Sequence, residues 1–213
     1  MLAVAAVCLL LAQAEPAPVP PPPEPALPPP AAAEPDDTVT VSAFAGGSFH
    51  LATDGAQPWP SNGFSIGGTF EYRYWDRGPP ERSRLLLGAS FGFFHDRFAD
   101  YLVDTTRDGV LTKTGFVLAQ TAAVPLSIVT PWASAGGGFA IAYFSGMGQS
   151  SVMQPVLAGE LGLDIALGSQ VGIRLRLNLT HALARREHVT DSGTRVDLFG
   201  DLFDSDVGVF YRF

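Results

Sequence analysis

The sequence predicts an all-β protein, a closed antiparallel up-and-down transmembrane β-barrel of about eight strands. Three observations carry that prediction. From Thr38 onward, apolar and polar residues alternate with period two, most clearly where Val171, Ile173, Leu175, Leu177 and Leu179 share one face and Gly172, Arg174, Arg176, Asn178 and Thr180 the other; helical faces repeat at three and four and cannot give that split. The chain is apolar, with mean hydropathy +0.19 and 16% charged residues, yet after its first stretch it has no run long enough for a membrane helix. Finally, the connections alternate between longer polar segments and short turns, the asymmetry of an outer-membrane barrel.

Composition narrows the function classes. The 213 residues carry 13 Lys and Arg against 21 Asp and Glu, a net charge of −8, which argues against nucleic acid as a partner. Lys113 is the sole lysine. Cys8 is the sole cysteine and lies in the expected leader, so disulfide and thiol chemistry are not expected in the mature protein.

In chain order, residues 1–14 read as a secretory signal peptide: Leu2–Ala12 form a short apolar core and Ala12-Gln13-Ala14 fits the small-x-small cleavage rule. The core lacks the usual preceding Lys or Arg, and it is too short to anchor as a spanning helix. Lipoprotein processing at Cys8 is the competing reading, opposed by the size of Val7. Residues 15–37 form a proline-rich tail with eleven prolines between Glu15 and Asp36. Proline fixes φ and removes donors, so this segment is expected as extended polyproline II, a periplasmic linker or a reach toward cell wall or partner.

Residues 38–213 form the barrel domain, with strands expected at 38–50, 63–75, 84–96, 111–124, 131–145, 154–167, 171–183 and 202–213. The fourth is the weakest, because neither face is clearly polar and Pro125 sits late in it. The longer connections are Ala52–Asn62, Arg97–Val110, Gly146–Met153 and Ala184–Asp201.

The faces decide between a soluble and a membrane barrel. One face carries Glu71, Arg73, Glu160, Asp164, Arg174, Arg176, Asp206 and Arg212 among many small residues such as Ser42, Gly46, Gly67 and Gly162. Small residues and opposite charges suit the interior of a narrow barrel. The other face is apolar, with Tyr72, Tyr74, Phe91, Phe93, Tyr143, Tyr211 and Phe213 near strand ends, as in interfacial aromatic girdles. A three-residue turn at Gly168-Ser169-Gln170 sets Asp164 opposite Arg174, with Arg176 opposite Gly162 and diagonal to Asp164. A buried cluster of Glu160, Asp164, Arg174 and Arg176, joined by Glu71 and Arg73, is therefore expected, because unpaired charges there would be costly. Such a cluster would serve as a plug that fills the lumen and fixes register, or as the gate of a narrow pore.

Several motifs resemble those of the OmpA-like small outer-membrane barrels. The terminal Val207, Val209, Tyr211 and Phe213 resemble the β-signal that the family's barrel assembly machinery recognises. Pro131-Trp132-Ala133-Ser134-Ala135-Gly136-Gly137-Gly138 resembles the opening of the family's fifth strand, and Gly159-Glu160-Leu161-Gly162 the strand that follows. The likeness covers 38–213 and implies a Gram-negative outer membrane, lipid contact, a monomer with a structural, surface-interaction or porin-like role, and an N-terminal tail in the periplasm. The peptidoglycan-binding domain of better-known members does not follow the barrel in this sequence.

No catalytic residue, metal site or cofactor is expected. His181 is placed outward at the end of strand 7, where lipid A deacylases carry a histidine, but Ala182-Leu183-Ala184 supplies no following nucleophile, so a lipid-modifying enzyme is favoured only if a Ser or acidic residue meets His181 in space. His50, His95 and His188 would bind metal only if the loops converged. Asp100, Asp104 and Asp108 read as a solvated acidic loop rather than a calcium site.

Overall fold

The computed structural model describes residues 38–51, 62–77, 85–104, 107–145, 150–184, 187–189, 195–197 and 200–213. The leader and proline-rich tail assigned to 1–37 lie outside the described residues.

Among the described residues ten strands follow in order: β1 (Thr38–Leu51), β2 (Asn62–Arg77), β3 (Leu85–Asp104), β4 (Arg107–Ala123), β5 (Val129–Ser145), β6 (Ser150–Ala166), β7 (Val171–Ala182), β8 (Glu187–Val189), β9 (Arg195–Asp197) and β10 (Asp201–Arg212). Eight close into one antiparallel barrel in the order β1-β10-β7-β6-β5-β4-β3-β2, while β8 and β9 pair only with each other. Register partners lead from Thr38 through Arg73, Gly88, Thr121, Ser134, Glu160, Asn178 and Asp204 back to β1 at Ser48, ten residues further on. A stagger of that size tilts the strands strongly, and with eight strands it leaves an interior that side chains fill.

Two expected connections fold differently. The segment expected as loop 97–110 is mostly strand, because β3 runs to Asp104 and β4 begins at Arg107. Alternation fails there and hid the hairpin: beyond the bilayer both faces of a hairpin meet water, so nothing demands an apolar side. Register shifts between Phe98 and Tyr101 and between Leu102 and Asp104 break the pattern further. Asp100 and Asp104 thus belong to β3 and Asp108 to β4; their side chains lie outside the described residues. The connection 184–201 contains the β8–β9 hairpin, with Glu187 opposite Asp197.

The turns after β4 and β6 lie at the end of the barrel that holds both termini of the domain, where Phe213 N donates to Val39 O at 2.9 Å. Leu167 N donates to Val171 O at 3.0 Å, closing the expected three-residue turn. Between β4 and β5, Leu126 and Val129 exchange both backbone hydrogen bonds around Ser127 and Ile128. Ser127 there has φ 58°, a left-handed conformation that costs a residue with a Cβ. Ser127→Gly is expected to stabilise the folded barrel by about 1 kcal/mol, read as a higher urea midpoint for the variant refolded in lipid vesicles.

The outside of the barrel is apolar. Leu118, Phe139, Val207 and Val209 are each 57–67% exposed, and Tyr72, Tyr74, Phe91, Phe93, Tyr143, Tyr211 and Phe213 also face outward. Rings pack on one another across and along the strands: Phe116 of β4 stacks on Phe91 of β3 at 5.8 Å, and at the chain's end Tyr211 meets Phe213 edge to face at 4.7 Å. A continuous apolar surface of this kind is unfavourable in water and favourable in a bilayer.

Inside, the barrel has two sides. Phe94, Val117, Ala140, Val156 and Ala158 from β3–β6 form an apolar cluster. The facing wall of β7, β10, β1 and β2 carries Arg174, Arg176, Asp204, Asp206, Ser42, Ser48, Glu71 and Arg73, all buried.

Candidate functional site

The charged wall is built by alternation. Inward residues of β7 are Arg174, Arg176 and Asn178, and register sets Asp164 of β6 opposite Arg174. Arg174 grips Asp164 with two bonds, Nε to Oδ1 at 2.7 Å and Nη2 to Oδ2 at 2.8 Å. The same Nη2 donates to Glu71 Oε2 of β2 at 3.2 Å, and Nη1 to Thr69 Oγ1 at 3.2 Å. Arg73 Nε bonds Glu71 Oε1 at 2.9 Å, and its Nη2 lies 3.6 Å from Asp164. Two guanidinium groups and two carboxylates thus form one closed, neutral network linking β2, β6 and β7. Bidentate pairing of this kind is the strongest ion-pair geometry available to side chains.

Arg176 belongs to a second network. It stands opposite Gly162, with Glu160 and Asp164 both diagonal. Its guanidinium turns to Glu160, at 3.1 Å from Nε and 2.8 Å from Nη2, and to Asp206 at 2.9 Å. Asp206 is its direct register partner on β10. The six residues expected as one lumen cluster therefore fall into two adjacent groups, and Asp206 joins the second.

Buried aromatic rings hold both arginines flat. The Arg174 guanidinium lies 4.7 Å from the centre of the Trp132 ring, and that of Arg176 4.0 Å from the Phe44 ring. Trp132 Nε1 donates to Asp164 Oδ1 at 3.0 Å. The rings need glycines beneath them. A Cβ on Gly162 would collide with Trp132, and one on Gly67 with Phe44. These stacked rings were not expected from the sequence, although Phe44, Trp132 and Phe210 share strand parity with the inward small residues.

Beyond the Arg176 group, toward the end away from the termini, a third set went unpredicted. Asp204 accepts from Ser48 at 2.6 Å and from Asn178 at 2.7 Å. Asp96 and Lys113 face each other in register between β3 and β4, both fully buried. Their parity with Ser90, Gly92 and Thr121 was the available signal. A cavity of about 10 Å³, bordered by Phe44, Val117, Glu160, Arg176 and Asn178, leaves room for about one water beside the networks.

The C-terminal residues Val207, Val209, Tyr211 and Phe213 lie on the outward face of β10, whose other edge pairs with β1. His181 also faces outward, and its Nδ1 meets Asp201 Oδ1 at 2.7 Å. His181 thus has an acidic partner. His95 Nδ1 pairs with Thr114 Oγ1 at 2.8 Å; the side chains of His50 and His188 lie outside the described residues. Among the described residues, no three His, Cys, Asp or Glu side chains converge as a metal centre.

Closed eight-strand topology, a staggered antiparallel register, a charge-filled lumen and an apolar exterior define a small eight-stranded transmembrane β-barrel. No family model matches the sequence, and no curated protein matches it. Solved structures do. The chain is similar to the outer membrane protein OprG from Pseudomonas aeruginosa, at 16% identity and TM-score 0.53 over 83% of this chain and 95% of that one. It is similar also to the N-terminal barrel domain of Pseudomonas aeruginosa OprF, at 16% identity and TM-score 0.48, covering 83% and 97%. The attachment invasion locus protein Ail of Yersinia pestis matches at 16% identity and TM-score 0.46, again covering 83% and 97%. At these identities the likeness is one of fold.

Proposed function

We propose that this protein is a monomeric bacterial outer-membrane barrel with a structural or surface-interaction role, its lumen closed to bulk solutes. The observation that carries this reading is the Arg174 clamp, which ties β7 to Asp164 of β6 and to Glu71 of β2 across the lumen. Outer-membrane location is supported by the apolar exterior and by the terminal residues that resemble a β-signal, through which the barrel assembly machinery would receive the chain. Both ends of the barrel domain lie on the side of the turns after β4 and β6, which on this reading faces the periplasm and receives the proline-rich tail. The connections after β1 and β7 and the protruding β3–β4 hairpin would then face outward, and they are where a surface partner would dock.

One observation favours a second reading, a narrow channel. Arg73 lies close to both carboxylates that Arg174 holds, at 2.9 Å and 3.6 Å, so the network has an alternative pairing within reach. The pairing of His181 with Asp201 supplies the acidic partner on which a third reading, a lipid-modifying enzyme, depends.

Fractionation with electrophoresis of boiled and unboiled samples tests the main reading. An outer-membrane band that migrates faster before boiling is the expected result; a soluble periplasmic band with no shift would refute it. Planar-bilayer recording then separates scaffold from channel. The native barrel and Arg174→Ala are both expected to be silent. Current in the native protein that changes in Arg174→Ala would establish the channel instead.

A further inference from the structure

One row of the lumen is left chemically incomplete by the protein. Asp206 on β10, Gly46 on β1, Ser65 on β2, Asp96 on β3 and Lys113 on β4 are successive register partners. The four side chains are buried. Among the described residues, both oxygens of Asp96, the hydroxyl of Ser65 and Oδ1 of Asp206 have no hydrogen-bond partner of good distance and angle. Ser65 stands beside both carboxylates, close enough to act on each. Asp206 presents its free oxygen over Gly46, where a Cβ would come within 2.6 Å of it, while its other oxygen is held by Arg176. Asp204, the neighbouring acid, already accepts from Ser48 and Asn178.

We propose that Asp96, Ser65 and the free oxygen of Asp206 form a binding site for a monovalent hard cation of sodium type inside the barrel. A buried carboxylate with neither oxygen hydrogen-bonded is costly until a positive charge reaches it. Every free donor in the row is an oxygen, which selects hard cations over transition metals. Two features select a single charge. Only two carboxylates contribute, and the ammonium of Lys113 and the guanidinium of Arg176 flank them and would repel a divalent ion. Around this level the described lumen sets Asp96, Glu160, Asp204 and Asp206 against Lys113 and Arg176, an excess of acid that one bound cation reduces. Gly46 keeps the centre of the row open, and any side chain there would fill the site.

The competing occupant is internal. Lys113 faces Asp96 in register, and its ammonium could neutralise the site by itself. The experiment separates the two. The full chain is refolded in detergent micelles, and sodium-23 line broadening is measured as sodium chloride replaces choline chloride at constant ionic strength. The midpoint of heat-induced unfolding is followed in parallel, since a ligand bound only by the folded state raises it. Saturable broadening with a rising midpoint is expected for the native barrel. Asp96→Asn is expected to weaken sodium binding at least tenfold, and Ser65→Ala, which removes one neutral ligand, about fivefold. The second variant and the native titration keep the test decisive if Asp96→Asn does not fold. The proposal is overturned if sodium and choline act alike, if Asp96→Asn keeps the full sodium response, if only calcium or magnesium raises the midpoint, or if a response appears only in Lys113→Met.

Discussion

Arg174→Ala is expected to destabilise the barrel by about 3–5 kcal/mol, the cost of removing one partner from a buried ion pair. The loss has a definite structure. Arg174 donates twice to Asp164 and once to Glu71, with further bonds to Thr69 and Ser42. Alanine leaves Asp164 with the Trp132 indole at 3.0 Å and with Arg73 at 3.6 Å. Glu71 keeps its 2.9 Å bond from Arg73. Glu71→Gln should therefore cost less than Arg174→Ala, about 1–3 kcal/mol, because the bidentate grip on Asp164 survives. Replacing the pair together, as Arg174→Met with Asp164→Leu, should recover much of the loss, since two buried charges then need no compensation. Urea unfolding in lipid vesicles, followed by tryptophan fluorescence, gives these values. If Arg174→Ala and Glu71→Gln cost the same, the clamp is not centred on Asp164.

Leu118→Arg is expected to cost about 2–4 kcal/mol in a bilayer, the range for a basic side chain at mid-depth on the lipid face of a barrel. Leu118 is 67% exposed and lies between Phe91 of β3 and Gly137 of β5. Its contacts within the protein are few, so a barrel dissolved in water would accept arginine there almost without cost. Met153, 65% exposed near the start of β6, makes the natural comparison. Met153→Arg should cost about 0–1 kcal/mol, because charge near the interface reaches water. Refolding yield and unfolding free energy in vesicles measure both. Equal costs at the two positions would mean that the apolar exterior does not sit in lipid as described.

The contrast between these two substitutions shows how much of the fold was legible in the sequence. Alternation is enforced only where one side of a strand meets hydrocarbon, and there it could be read directly: β7 with its Leu and Arg faces, or β10 with Val207, Val209 and Tyr211. Where β3 and β4 rise beyond that zone, the two faces no longer differ, and the strands escaped notice between Arg97 and Val110. β4 was hard to read for a related reason. Its inward residues Leu111, Val117 and Ala123 are apolar because they pack the apolar side of the lumen, so both of its faces look alike. The Asp164–Arg174 pairing was legible because a tight turn fixes register, and parity then fixes the facing residues. Partners joined only by closure of the barrel, such as Ser48 with Asp204 or Arg174 with Glu71, are distant in sequence, and no local pattern announces them.

Those long-range partners meet across the seam between β1 and β10, and the seam has a consequence for how the cylinder closes. Sheets can slide by two residues without exchanging their faces, so a hydrophobic pattern alone tolerates several closures. Here a slide of two would bring Asp206 against Phe44 or Ser48 in place of Gly46, where its carboxylate now lies over bare backbone. Asp204 would lose Ser48 at the same moment. The first and last strands act as a keyed lock: a single stagger admits the acid beside the glycine, and every other one jams. The glycine at position 46 is thus a ratchet tooth, setting where the two ends of the sheet come to rest.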